Sequence, residues 1–158
     1  MTKPYDALLS QARGLFAGER DAIANAANLA ALLYQGLAEL NWAGFYFLKE
    51  RELVLGPFQG KPACVRIGWG KGVCGAALAE ARTLIVPDVH AFTGHIACDA
   101  ASNSELVVPL FAGGRALGVL DLDSPKRARF DEDDAHGLEA LARAWIEASD
   151  FRLTSDKS

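Results

Sequence analysis

The sequence has no long basic run: 16 lysines and arginines are set against 20 acidic residues, for a formal charge of -4 and a pI near 5.3. No basic stripe is available to neutralise a phosphate backbone, so nucleic acid is not expected as a partner. No stretch approaches the roughly 20 apolar residues of a membrane helix, so no membrane association is expected either. The opening MTKPYDALLSQARGLFAGERD breaks its apolar residues with charges and lacks a small-residue cleavage site, unlike a signal peptide. Cysteine is scarce. Cys64, Cys74 and Cys98 form an odd set at irregular spacing, which excludes a secreted disulfide framework and fits a reducing cytoplasm, where a disulfide is transient and catalytic. There is no internal repeat.

What is present suits one domain spanning 1–158: half of the residues are hydrophobic (51%), enough to bury a substantial core. Residues 3–40 read as two helices broken near Gly18, with Ile23, Ala27, Ala30, Leu33 and Leu37 at helical spacing in the second. At NWAGFYFLKERELVLGPF the period becomes that of strands, a hairpin turning at KERE. A third strand around ACVRI leads through GWGKGVCG into a short helix near Val73, then a strand at TLIVP. A long loop from Asp88 to Ser104 follows, of the kind that often serves as a lid or binding loop. ELVVPLFAGGRALGVLDLDS is a second hairpin turning at Gly113 and Gly114. Residues 131–149 form a final helix whose start Asp131 caps, with Glu132, Asp133 and Asp134 at the positive end of its dipole. After Phe151 the polar tail frays. The order predicts an α+β domain: an antiparallel sheet of about six strands over 41–125, covered by the terminal helices on one face.

Several constellations deserve weighing. His90, His95 and Cys98 could supply three metal ligands, but no Cys-x-x-Cys pair accompanies them and local packing explains the histidines better, so no metal is expected. A Cys/His hydrolase would need an oxyanion hole and a local signature that the sequence does not offer. The glycines of GWGKGVCG lack the P-loop's Gly-Lys-Ser/Thr element and the dinucleotide spacing. Cys98 itself is unusual, because a residue type that is mostly buried sits among Ala, Asp, Ser and Asn in a polar loop.

The carboxylates are more informative. The strand period places Leu117, Val119, Asp121 and Asp123 on one face of ALGVLDLDS, so two acids continue an apolar face. Either the strand emerges into water there, or the long loop covers it. In the second case the paired carboxylates raise one another's pKa and leave one protonated near neutral pH, able to bind an ammonium group and donate a proton. With a two-residue turn at Gly113 and Gly114, Glu105 faces Leu122, on the wrong side to join them. Convergence of all three acids requires a loop with an odd residue count or a bulge in the strand, for which Pro109 is the natural place.

SELVVPLFAGGRALGVLDLDS resembles the central hairpin of GAF domains. Together with NWAGFYFL, LGPFQGKPACVRIGWGKGVCG and DVHAFTGHIACDAASNSE it resembles the free methionine-(R)-sulfoxide reductases, from about Asn41 to Phe130. The resemblance implies a GAF-like fold and makes Cys98 the catalytic cysteine and Cys64 the resolving one. Cys74 matches a third cysteine whose share in disulfide formation is open. Glu105, Asp121 and Asp123 match acidic substrate-site residues, and Trp42 and Tyr46 match the aromatics around the thioether end. It also implies free methionine sulfoxide as substrate, a thiol reductant such as thioredoxin with no other cofactor, and a homodimer. The alternative from another class is a GAF module that senses a small ligand without turnover; a bilin site fits poorly, since Asp99 rather than histidine follows Cys98.

Overall fold

The computed structural model of the chain describes residues 3–96, 98 and 100–151, so the tail expected beyond Phe151 lies outside the described residues. Its elements run α1 (Tyr5–Phe16), α2 (Ala22–Gly36), β1 (Trp42–Lys49), β2 (Glu52–Gly60), β3 (Arg66–Gly68), α3 (Gly72–Glu80), β4 (Leu84–Val86), β5 (Ser104–Ala112), β6 (Arg115–Ser124) and α4 (Glu132–Ala148). Six strands form one antiparallel sheet in the order β3-β2-β1-β6-β5-β4.

Capping fixes the start of α4 as the sequence leads one to expect. Asp131 accepts from the Asp134 amide at 3.1 Å and Asp134 accepts from the Asp131 amide at 2.9 Å, a reciprocal pair that satisfies two otherwise orphaned donors. Buried Asp134 also accepts from Tyr5 Oη at 2.6 Å and Lys3 Nζ at 2.7 Å, and so ties α1 to α4. The inward face of α2 differs from the expected one. Asn25, Ala26, Leu29, Ala30 and Leu33 are buried, whereas Ile23 is 55% exposed and Ala27 faces solvent. The reason is polar: Asn25 donates to Glu19 O and to Ser149 Oγ, both at 3.1 Å, so a hydrogen-bonded asparagine takes a place in the core.

Both faces of the sheet are covered, which corrects the expectation of helices on one face. Helices α2 and α4 bury Leu29, Leu33, Leu138, Leu141 and Trp145 against Phe45, Leu106, Leu110, Leu120 and Leu122, and α1 packs on these two helices. On the other face α3 packs Val73, Cys74, Ala77 and Leu78 against Trp42, Tyr46, Val107 and Val119.

The β5–β6 hairpin decides which side chains reach that second face. Gly113 (φ +57) and Gly114 (φ +80) form a two-residue turn in the left-handed conformation that glycine adopts without steric cost, and Ala112 pairs with Arg115 as expected. Between the pairs Phe111–Ala116 and Leu110–Gly118, Leu117 is an extra residue, and beyond it Glu105 faces Asp123. The required bulge therefore exists, but in β6 at Leu117, while Pro109 stays in register opposite Val119. It turns Leu117 to the helix side with Leu120 and Leu122, instead of the expected face with Val119. Gly118 (φ +153) permits it, because a Cβ there would strike the Tyr46 carbonyl oxygen. Gly118→Ala should cost about 3 kcal/mol through overpacking and backbone strain, lowering the thermal midpoint by about 10 °C; an unchanged midpoint would refute this account of the bulge.

Candidate active site

Pairing across the sheet lines up the acids and the aromatics. Glu105 on β5 is opposite Asp123 on β6, and Asp123 is opposite Trp42 on β1; one step along, Val107, Asp121 and Gly44 form the next row, then Val119 and Tyr46. Directly opposed residues share a face, so Trp42, Tyr46, Glu105, Asp121 and Asp123 all look toward α3. They line one cleft, closed by Ile67, Val73, Cys74, His95, Cys98 and Ser102. Gly44 leaves room beside Asp121, where a Cβ would run into Phe58 and the Trp42 ring.

The loop over this cleft is pinned at both ends. Asp88 caps a short 3-10 turn at Val89–Ala91 by accepting from the His90 amide at 3.0 Å. Val89 N donates to Asn103 O at 2.9 Å, Asn103 N to Ser124 O at 2.8 Å, and Asn41 Nδ2 to Ser102 Oγ at 3.0 Å. Cys98 sits half-buried between these anchors and is joined in a disulfide to Cys64, with the Cα atoms 5.5 Å apart. The Cys64 segment is held from beneath: Tyr46 Oη donates to Cys64 O at 2.8 Å and Trp42 Nε1 to Lys61 O at 3.2 Å.

Cys74 belongs to the acid cluster rather than to the disulfide. It is buried, with its Sγ donating to Glu105 Oε2 at 3.9 Å. Glu105 and Asp121 are buried as well, and Asp121 Oδ1 has no hydrogen-bond partner among the described residues. Burial, and after it the Asp121 charge, pushes the Glu105 carboxyl well above its ordinary range; burial and Asp123 do the same to Asp121, and burial and Asp121 to the Cys74 thiol. Burial likewise keeps the Tyr46 phenol protonated. Among the described residues no lysine or arginine lines the cleft, and the imidazole that does, His95, is pushed toward the neutral form by burial and by His90. The cleft therefore favours the protonated forms of its acids and, among the described residues, offers them no cation. A ligand with an ammonium group would supply one and reach the unpartnered Asp121 oxygen.

These shifts carry a sign for stability. Glu105 and Asp121 hold protons in the folded chain above their ordinary values of 4.5 and 3.8, so their contribution is full below those values and is lost as pH rises through the raised ones. The double variant Glu105→Gln, Asp121→Asn should show a flatter thermal midpoint from about pH 5 to 8 than the parent. Parallel profiles would contradict the protonated cluster.

The eight residues that the resemblance assigns to the site, Cys64, Cys74, Cys98, Glu105, Asp121, Asp123, Trp42 and Tyr46, meet at this cleft or at its disulfide. His90 does not: its ring pairs with Asn103 Oδ1 at 3.0 Å, and the Cys98 sulfur is engaged by Cys64, so the His90, His95, Cys98 set is not assembled. The group of ligand-type atoms that does converge among the described residues is Cys74, Glu105 and Asp121, within 4.8 Å of one another. Ile67, Val73, Ser102 and Gly44 were not anticipated; each is an ordinary core or loop residue in the sequence, and only pairing brings it to the cleft.

A six-stranded antiparallel sheet with helices on both faces and a loop-covered cleft on one of them defines a GAF domain, and the chain belongs to that family, whose model matches residues 22–144. The free methionine-R-sulfoxide reductase of Escherichia coli is 53% identical over 140 residues, covering 89% of this chain and 85% of that protein. The reduced form of fRMsr from Staphylococcus aureus superposes with a TM-score of 0.90 at 50% identity, covering 93% of this chain and 96% of that one. The free methionine-R-sulfoxide reductase of Neisseria meningitidis in complex with its substrate gives 0.88 at 48% identity, covering 91% and 87%. Within the GAF domains, the chain's relatives include free methionine-R-sulfoxide reductases.

Proposed function

We propose that the protein reduces free L-methionine (R)-S-oxide to methionine. The observation that carries this reading is the Cys64–Cys98 disulfide at the mouth of a cleft floored by Glu105, Asp121 and Asp123, in a chain half identical to named reductases of this substrate. The aromatic wall of Trp42 and Tyr46 accommodates the thioether end, and the carboxylates receive the ammonium group. A methionine inside a peptide has no such group and would leave the buried acids unpaired, which gives selectivity for the free amino acid.

In the reduced enzyme the Cys98 thiolate attacks the sulfoxide sulfur while a protonated carboxyl of the cluster donates to the sulfoxide oxygen. The hydroxyl so formed passes from the substrate sulfur to the Cys98 sulfur as the transient bond between the two sulfurs breaks, so methionine leaves and Cys98 becomes a sulfenic acid. Cys64 attacks the Cys98 sulfur, water departs, and the disulfide forms. A dithiol of the thioredoxin type then reduces it, becoming a disulfide itself. No further cofactor enters this balance. Cys74, a buried neutral thiol beside Glu105, helps to shape the acid site and is not the resolving thiol in this scheme.

Turnover is tested with both sulfoxide epimers and dithiothreitol, following methionine: the R epimer is consumed, and its failure to react would overturn the reading in favour of a ligand-sensing domain. Cys64→Ser should still release about one methionine per enzyme without reductant, leaving a Cys98 sulfenic acid that dimedone traps. No burst in that variant would show that Cys64 is not the resolving thiol. The reducing cytoplasm and the homodimer are part of the same reading. Light scattering on the purified chain checks the dimer. Among the described residues no helix is long and apolar enough to cross a membrane.

A further inference from the structure

Cys74 is a nucleophilic side chain for which the reaction has no use, and its surroundings are those of a ligand. Cys64 and Cys98 are joined to one another, so Cys74 is the chain's free thiol. It enters the cleft from the first turn of α3, which is seated so closely on the end of β3 that a Cβ on Gly75 would lie 2.8 Å from the Gly68 carbonyl oxygen. Glu105 and Asp121 approach it from β5 and β6, and one ligand-type atom of each of the three residues lies within 4.8 Å of the other two. All three side chains are more than nine-tenths buried, at 4% exposure for Cys74, 7% for Glu105 and 4% for Asp121. Cys74 Sγ stands 3.9 Å from Glu105 Oε2. A sulfur and an oxygen that are neighbouring ligands of a tetrahedral zinc ion, at about 2.3 and about 2.0 Å from it, are about 3.5 Å apart, so a small closure suffices. A separate observation points the same way. Asp121 Oδ1 is buried in the cleft with no hydrogen-bond partner among the described residues, a cost that a cation would offset.

We propose that Cys74, Glu105 and Asp121 form a binding site for a thiophilic divalent cation of the zinc type, which competes with methionine for the cleft. The sulfur sets the class of ion: thiolate ligands suit zinc and its neighbours, whereas calcium and magnesium take six or more oxygens. Three protein ligands leave the fourth tetrahedral position to water. On binding, the thiol and carboxyl protons pass to solvent, and three anionic ligands meet the dipositive ion. No electron moves, and the ion takes no part in the reaction. It lies where the reductase reading puts the ammonium group, so the competition rests on that reading, while the binding itself does not.

The oxidised chain is titrated with Co²⁺, whose bond to a thiolate gives a near-ultraviolet charge-transfer band; with the disulfide intact, Cys74 is the one thiol that can produce it. The band should grow to about one ion per chain and be bleached by Zn²⁺. Cys74→Ser should lack it. Asp121→Asn should raise the Kd for Co²⁺ at least about tenfold, since even residues that only orient a ligand cost that much. Absence of the band in the parent chain, its retention in Cys74→Ser, or an unchanged Kd in Asp121→Asn overturns the proposal, and the parent result decides even where a variant fails to fold. The double variant Cys64→Ser, Cys98→Ser keeps Cys74 as its sole thiol without the disulfide. There, methionine added at constant free Co²⁺ should abolish the band, and a band that persists while calorimetry shows methionine bound overturns the shared position. A band that forms in a chain to which methionine does not bind would strike the reductase reading and leave the cation site standing.

Discussion

Cys98→Ser should release no methionine, even in a single turnover, with a loss of at least ~10³-fold. A serine hydroxyl is almost wholly protonated near neutral pH and cannot carry the oxygen away as a sulfenic acid, so neither half of the redox cycle remains. Cys64 cannot stand in, because it lies outside the cleft lining and its carbonyl is held by Tyr46. Cys74 cannot either: it is buried, and its thiol is pushed up by burial and by Asp121, so little nucleophilic thiolate is available. The comparison with Cys64→Ser makes the result specific, since that variant keeps the burst that Cys98→Ser lacks. Methionine binding measured by calorimetry should survive in Cys98→Ser; residual turnover would mean that another sulfur performs the attack.

Asp121→Asn should lower kcat/KM for the sulfoxide by about 10²–10³-fold, the scale of losing a positioned acid. Asn is nearly isosteric and still polar, so the loss reports charge and proton rather than shape. Asp121 stands at the middle of the cluster, paired across the sheet with Gly44 and Val107, and its Oδ1 has no partner among the described residues. The parent profile should be bell-shaped: activity rises with pH as Cys98 ionises and falls as the cluster, whose acids titrate well above their ordinary values, loses its proton. The descending limb should be missing or displaced in Asp121→Asn. An unmoved limb would transfer the proton donation away from this cluster.

The elements themselves were legible because their signals are local. The capping box at Asp131, the Gly113–Gly114 turn and the alternation through β1 and β6 each depend on a few adjacent residues. The inward face of α2 was not, because an Ala- and Leu-rich helix offers two apolar stripes and the choice was made by Asn25 bonding to distant Ser149. The bulge illustrates the same limit. Convergence of the three acids announced that β5 and β6 must slip by one residue, but the slip falls at Leu117 because Gly118 alone passes the Tyr46 carbonyl, a neighbour 72 positions away in the chain.

By itself the sequence determined the α+β class, the strand period that sets Asp121 and Asp123 on one face, and the three thiols in contexts resembling those of sulfoxide reductases. Tertiary structure alone decided that Cys64 and not Cys74 joins Cys98, that Glu105 shares a row with Asp123, and that the cluster is dry enough to keep its protons. Pairing of sulfurs and dehydration of carboxylates depend on distances between segments far apart in the chain. Local side-chain preference carries no record of those distances until the sheet, α3 and the pinned loop close around them.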